Sequence, residues 1–244
     1  GISNGAMTKV VSSREVEFTS ETPYNVASIL ANLVDNNPNC FIFGYEKDGR
    51  TFVGASPEIL VRHRGSEILS YALAGTAPKD GPNGWTKEQL LTNTKNIVEH
   101  NIVRDRIVNT MKQITPDVMV GETGIMELSH LYHLRTIITA KDSTKSLVEW
   151  AKLLHPTPAL GGEPREKALA LLQEYESHER GMYAAPFGFM KDMGDGIVVV
   201  AIRSALIMDN VLYAYAGCGV VADSDADEEY AETNNKMRTI LDAL

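Results

Sequence analysis

Cysteine is nearly missing: Cys40 and Cys218 are the only two in 244 residues, they stand far apart, and neither falls in a metal-ligand spacing. Such a pair argues against a disulfide framework or a zinc site and fits a reducing compartment, so a cytoplasmic protein is expected. Positive charge is also short, with 23 Lys and Arg against 32 Asp and Glu and a formal net charge of −9. Nucleic acid and anionic membranes both require clustered positive charge, so neither is expected as a partner. No apolar run is long enough to span a bilayer, and the N-terminus lacks the basic and apolar regions of a signal peptide. Neither GxGxxG nor GxxxxGK[ST] occurs, so there is no nucleotide fingerprint. Internal repeats and low-complexity linkers are absent too.

Hydrophobic residues make up 43% of the chain, enough for one large domain with a sizeable core. Period-two alternation marks strands at "TKVVSSREVEF" (8–18), "CFIFGYEK" with "RTFVGA", and "EILVRHRGSEILSYALAGT". From Thr86 the period becomes helical, and a Thr86–Gln89 capping box opens what reads as one long helix through Ile114. "LYHLRTIITA" reads as a strand, and helices are expected near 145–154 and 164–176, with Pro164 in a first turn. "GIVVVAIRSALIMDNVLYAYAGCGVV" reads as two strands around an Asp209–Asn210 turn, followed by a last helix with Ser224 as N-cap. Hairpin-grouped strands with helices between the groups predict an α+β fold rich in antiparallel sheet.

The last helix places Glu229, Glu232 and Lys236 on one face, either as a solvated face with a Glu232–Lys236 pair or with the two carboxylates as oxygen donors for magnesium. Glu99 stands on the stripe of Asn96 and Val103; taken alone it reads as a surface residue, and facing the last helix it would supply a further carboxylate. Gly217 and Gly219 offer either bare backbone N–H groups for a carboxylate or a tight bend. "LHPTPALGGEPREKA" is either a plain loop or a rigid wall close to a ligand. Lys9 interrupts the apolar start of its strand, as a solvated edge charge or as an amine that the chemistry needs.

The ordered set "KVVSSR", "ASPEIL", "LAGTAP", "NIVEH", "LYHLRT", "LHPTPALGG", "PREKA", "ERGMYAAPFGF", "AIRSA", "YAGCGVV" and "YAETNNK" resembles the chorismate-utilising enzymes: isochorismate, salicylate, anthranilate and aminodeoxychorismate synthases. The resemblance runs from Lys9 to the last helix. It implies the anthranilate synthase-like chorismate-binding fold, with large antiparallel β-sheets and helices packed around them, and residues 1–244 as the chorismate-binding catalytic domain. Because the family's enzymes are longer at the N-terminus, a C-terminal fragment of a longer isochorismate synthase is expected. The implied substrate is chorismate and the implied cofactor Mg²⁺, with Glu99 and Glu232 as direct ligands and Glu229 acting through water. Lys236, Arg203, Tyr183 and the backbone of Gly217 and Gly219 match positions that bind substrate carboxylates. Thr76 and His133 match pocket-lining positions.

Within the family, a lysine in the "KVV" strand accompanies water as nucleophile, and Lys9 matches it as general base. Glu58 of "SPE" matches the general acid, which calls for a raised pKa. Ala74 of "LAGT" occupies the place of the nucleophilic lysine of aminodeoxychorismate synthases. Ala159 and Leu160 match the isochorismate synthase pattern rather than the Thr-Ala of salicylate synthases. The resemblance therefore implies an isochorismate synthase, of the menaquinone more than the siderophore type, with a salicylate-type pyruvate-lyase or a chorismate-binding module of little activity as alternatives. Cys218 in place of the usual alanine, Ser12 after "KVV" and Asn96 in place of an acid are departures from the pattern.

Overall fold

Alternation along most of the chain gives strands with one apolar and one mixed face, and such strands are stable only when stacked on another layer. The computed structural model describes residues 2, 5–80, 82 and 84–244. In chain order the elements are β1 (Lys9–Thr19), α1 (Val26–Asn36), β2 (Phe41–Lys47), β3 (Arg50–Ser56), β4 (Ile59–Arg64), β5 (Glu67–Pro78), α2 (Lys87–Thr92), α3 (Thr94–Lys112), β6 (Val118–Val120), β7 (Gly124–Glu127), β8 (Leu131–Lys141), α4 (Leu147–Leu154), β9 (Gly162–Glu163), α5 (Arg165–Tyr175), β10 (Pro186–Met190), β11 (Gly196–Val200), β12 (Ser204–Met208), β13 (Val211–Val220) and α6 (Ala226–Leu241). They form an α+β fold of two antiparallel sheets. The first has the order β2-β3-β12-β13-β1-β9 and the second β10-β11-β4-β5-β8-β6, with β7 also on β8. No helix of the described residues is long and apolar enough to cross a membrane.

One core fills the space around the second sheet, where Ile68, Ala72 and Ile138 meet Val103, Ile107 and Met111 of α3 and Trp150 of α4. A second core lies on one face of the first sheet, where Val53, Ala205 and Ala214 meet Ile29 and Leu33 of α1 and Met237 and Ile240 of α6. Helix α1 carries no expectation from the sequence reading, and neither do the short strands β6, β7, β9 and β10.

Three local expectations are corrected. The long helix after Thr86 is two helices, because Asn93 is extended (ψ 116°), ends α2 and caps α3 by accepting the Asn96 N–H. Asparagine satisfies a helix start better than a helix interior, so the chain bends there. The N-cap of α6 is Asp225, which takes the N–H groups of Asp227 and Glu228, while the Ser224 hydroxyl donates to Glu229 instead. Pro164 precedes α5 as its N-cap rather than lying in the first turn.

The stretch expected as two strands is three, and the extra break matters for function. Strand β11 belongs to the second sheet and β12 to the first, so residues 201–203 cross between sheets. Arg203 makes that turn in the left-handed region (φ 53°), a conformation costly for a non-glycine residue and concentrated at functional sites. The β3–β4 connection crosses in the opposite direction at Pro57–Glu58. The two crossings are bonded side by side, with Val200 N–H donating to Glu58 O at 3.1 Å and Ala55 N–H to Arg203 O at 3.1 Å.

Candidate active site

Where the sheets exchange strands, a cavity opens, lined by Lys9, Glu58, Thr76, Glu99, His133, Ala159, Leu160, Tyr183, Arg203, Gly217, Gly219 and Lys236. Every residue predicted from the sequence is in its wall except Glu229 and Glu232. Those two stand on α6: Glu232 is tied to the wall through Lys236, and Glu229 pairs with Lys95.

Lys9 is not a solvated edge charge. Strand β1 runs between β13 and β9, and the lysine is 1% exposed, its Nζ 3.0 Å from Glu99 Oε1. Alternation reports which residues share a face but not which face is covered. Glu99, read alone as a surface residue, is 6% exposed for the same reason. Burial pushes its carboxyl up, but the ammonium groups of Lys9 and then Lys95 outweigh that and hold it below its ordinary value.

Gly219 makes this pair possible. A Cβ there would stand 2.2 Å from Glu99 Oε1 and 2.7 Å from Lys9 Cε. Gly217 does the same for Tyr183, whose hydroxyl lies 2.8 Å from the missing Cβ. Neither glycine makes a bend; both sit in continuous register opposite Val11 and Ser13. Val11 and Ser13 send their amides away from β13, to Gly161 O and Glu176 Oε1. Their partners in the antiparallel ladder therefore turn N–H and C=O away from β1 as well, on the side where β12 has ended. The Gly217 carbonyl there accepts Lys236 Nζ at 2.8 Å. Gly219→Ala is expected to displace Glu99 and Lys9 at a cost of ~1–3 kcal/mol, the usual range for overpacking. Urea denaturation checks it; an unchanged midpoint would mean that the pair has room to move.

Glu58 is 2% exposed and its Oε1 has no hydrogen-bond partner. Burial lifts its carboxyl to about 8, against the opposing pull of Lys9, Arg203 and Lys236, so it carries a proton at neutral pH. Arg203 Nη2 donates to His133 Nε2 at 2.7 Å. A guanidinium can only donate, so His133 accepts at Nε2 and holds its proton on Nδ1, 3.1 Å from Thr76 Oγ1. Burial, with the charges of Arg203 and Lys236, keeps this imidazole neutral, well below its ordinary pKa. The Nε of Arg203 is buried without a partner, leaving a donor free in the cavity wall.

Thr76 reaches His133 because β5 carries a register shift between Leu73 and Thr76, made at Gly75 (φ 79°). A Cβ on Gly75 would meet Asn96 O at 2.9 Å. Asn96 Oδ1 accepts the Thr76 N–H at 3.0 Å, and His100 Nδ1 donates to Ala74 O at 3.1 Å, so α3 holds this bulge from behind. The sequence reading did not include His100, Arg180 or Tyr215. Tyr215 stacks on Tyr183 at 5.5 Å between centroids and shares the cavity wall with Arg180. All three stand inside family motifs, His100 in "NIVEH", Arg180 in "ERGMYAAPFGF" and Tyr215 in "YAGCGVV", without a role assigned from sequence.

The three glutamates alternate with three lysines: Lys9–Glu99, Lys95–Glu229 at 2.6 Å and Lys236–Glu232 at 2.6 Å. Among the described residues no three His, Cys, Asp or Glu side chains form a ready-made metal cluster. The donor set nevertheless fits a hard cation. Glu229 Oε2 is buried without a partner, and the Glu232 carboxyl is raised by burial, opposed by Lys236 and reinforced by the nearby charges of Glu99 and Glu229. Carboxylates that repel one another in a buried gap, all with oxygen donors, suit a divalent ion.

The family model for chorismate binding enzymes matches residues 1–244. The isochorismate synthase MenF of Bacillus subtilis is 37% identical over 242 residues, covering 97% of this chain and 51% of that protein. The solved menaquinone-specific isochorismate synthase MenF of Escherichia coli superposes with a TM-score of 0.88 at 31% identity, over 98% of this chain and 57% of that one. Anthranilate synthase component I of Streptococcus pneumoniae gives 0.84 at 27% identity, over 98% and 54%. The chain thus spans about half the length of the curated relative that it matches.

Proposed function

The chain belongs to the chorismate-binding enzymes, and from that premise we propose that it converts chorismate to isochorismate, adding water at ring C2 as the C4 hydroxyl leaves. The observation that carries the reading is the meeting, in one cavity, of a buried lysine with a buried carboxyl that keeps its proton at neutral pH.

Lys9 takes a proton from the attacking water, whose oxygen lone pair forms the C2–O bond, while both ring double bonds move one place toward C4 and the C4–O bond breaks with its electron pair on the leaving oxygen. Glu58 gives its proton to the departing hydroxyl, which leaves as water, so substrate and product are isomers. Neither free hydroxide attack nor hydroxide departure is accessible at neutral pH, which is why both groups are needed. Arg203, Lys236 and Tyr183 hold the substrate's two carboxylates, with the backbone N–H groups of Gly217 and Gly219. His133, accepting from Arg203, keeps the guanidinium aimed and donates from Nδ1 to Thr76 Oγ1, so the Thr76 hydroxyl has its own proton to donate to the substrate. Glu99 and Glu232 would hold Mg²⁺ directly and Glu229 through water, and the ion would supply positive charge beside the ring carboxylate and beside Glu99, the ion-pair partner of Lys9.

Ammonia chemistry is disfavoured by Lys9 itself and by Ala74 in "LAGT". Elimination of pyruvate is disfavoured by Ala159 and Leu160 in the cavity wall. The 37% identity to MenF of Bacillus subtilis and the likeness to the menaquinone-specific MenF of Escherichia coli support menaquinone supply. Incubation of the chain with chorismate, with and without Mg²⁺, followed by chromatography tests the reading. Isochorismate without pyruvate, formed only with the metal, is the expected result. Pyruvate release would make it a lyase, and bound but unchanged chorismate a binding module.

A further inference from the structure

Strand β1 is paired by β9 only at Lys9 and Val10, opposite Glu163 and Gly162. The Val11 N–H still reaches Gly161 O at 2.9 Å, but among the described residues no strand continues on that side. Side chains take over where the ladder stops. Arg180 donates from Nη2 to the Val11 carbonyl and from Nη1 to the Leu160 carbonyl, each at 2.7 Å. The same guanidinium meets Glu176, Nε to Oε2 at 2.8 Å and Nη2 to Oε1 at 2.6 Å. Glu176 Oε1 in turn accepts the Ser13 N–H at 2.8 Å and its hydroxyl at 2.7 Å. The ion pair thus offers β1 a donor at Val11 and an acceptor at Ser13, as a neighbouring strand would.

We propose that Arg180 is a positioning residue that sets the distance between the Ala159–Leu160 wall and the strand carrying Lys9, and with it the width of the substrate cavity. The proposal rests on the isochorismate synthase reading for its functional consequence. The guanidinium is a rigid planar fork, so two carbonyls bound to it keep a fixed separation, which a single ammonium cannot impose. Within the loop, Ala159 N–H bonds to Thr157 Oγ1 at 3.3 Å, and Leu160 and Gly161 N–H to Thr157 O at 3.0 and 3.2 Å. These bonds shape the loop, the Val11 N–H on Gly161 O anchors its end to β1, and Arg180 adds the tie at the Leu160 carbonyl itself, on the side that borders the cavity.

The test compares the full chain with Arg180→Gln and Arg180→Lys, by steady-state kinetics on chorismate with Mg²⁺ and by amide hydrogen exchange without substrate. Arg180→Gln is expected to raise KM about tenfold with kcat within about threefold, and to speed exchange at Ser13, Leu160 and Gly161 about tenfold while β4, β5 and β8 keep their protection. Arg180→Lys, which reaches one carbonyl, falls between. An unchanged KM overturns the proposal, and so does a loss confined to kcat with faster exchange throughout, since that marks a general folding role. If the wild-type chain makes no isochorismate, the function reading fails separately. The exchange comparison then decides, and wild-type protection at Ser13 and Gly161 in Arg180→Gln overturns the clamp.

Discussion

Lys9→Arg is expected to lower kcat for isochorismate formation by roughly 10³-fold while chorismate still binds in the presence of Mg²⁺, as removal of a general base does. Arginine is the informative replacement because the lysine has two roles. Its ammonium compensates the buried Glu99 carboxylate 3.0 Å away, and cutting it to alanine would leave that charge alone, at a typical cost of ~3–5 kcal/mol. A guanidinium keeps the charge but does not give up its proton in a protein. Lys9→Arg therefore separates the ion pair from the base. Isothermal calorimetry for binding, circular dichroism for the fold and a turnover assay distinguish the cases. Retained turnover in a folded, chorismate-binding Lys9→Arg protein would exclude Lys9 as the base.

Glu58→Gln should cost about 10²–10³-fold in kcat, because glutamine fills the same space but cannot hand a proton to the leaving hydroxyl. The pH profile carries a second signature. Burial raises the Glu58 carboxyl to about 8, so the acid is loaded at pH 7 and empties as pH rises through that value. Wild-type kcat should therefore fall as pH rises above 8, and the residual activity of Glu58→Gln should lack this alkaline limb. The same alkaline limb in the variant would assign it to another group.

Much of this site was legible as motif order, and much of the fold as periodicity. Strands β1, β4, β5 and β8 and helix α6 follow from alternation and from a helical period with acidic residues in the first turn. The unread parts share a physical cause: they depend on contacts between segments distant in sequence. Alternation around Lys9 gives two faces, and only tertiary packing, with Glu99 of α3 against its ammonium, decides that the lysine's face is buried. The break at Arg203 lies inside an apolar run that looks continuous, because nothing local announces that one strand joins the second sheet and the next the first. Asn93 was a readable stop signal outweighed by the apolar stripe around it. Arg180 and Glu176 resemble an ordinary i,i+4 surface pair until the carbonyls of Val11 and Leu160 are seen to end on the same guanidinium.

The central claim is water addition at C2 by this chain. Turnover of chorismate with Mg²⁺ in H₂¹⁸O, followed by chromatography and mass measurement of the product, tests it most directly. The account predicts isochorismate carrying one heavy oxygen, with no pyruvate released; isochorismate formed without the label would contradict it.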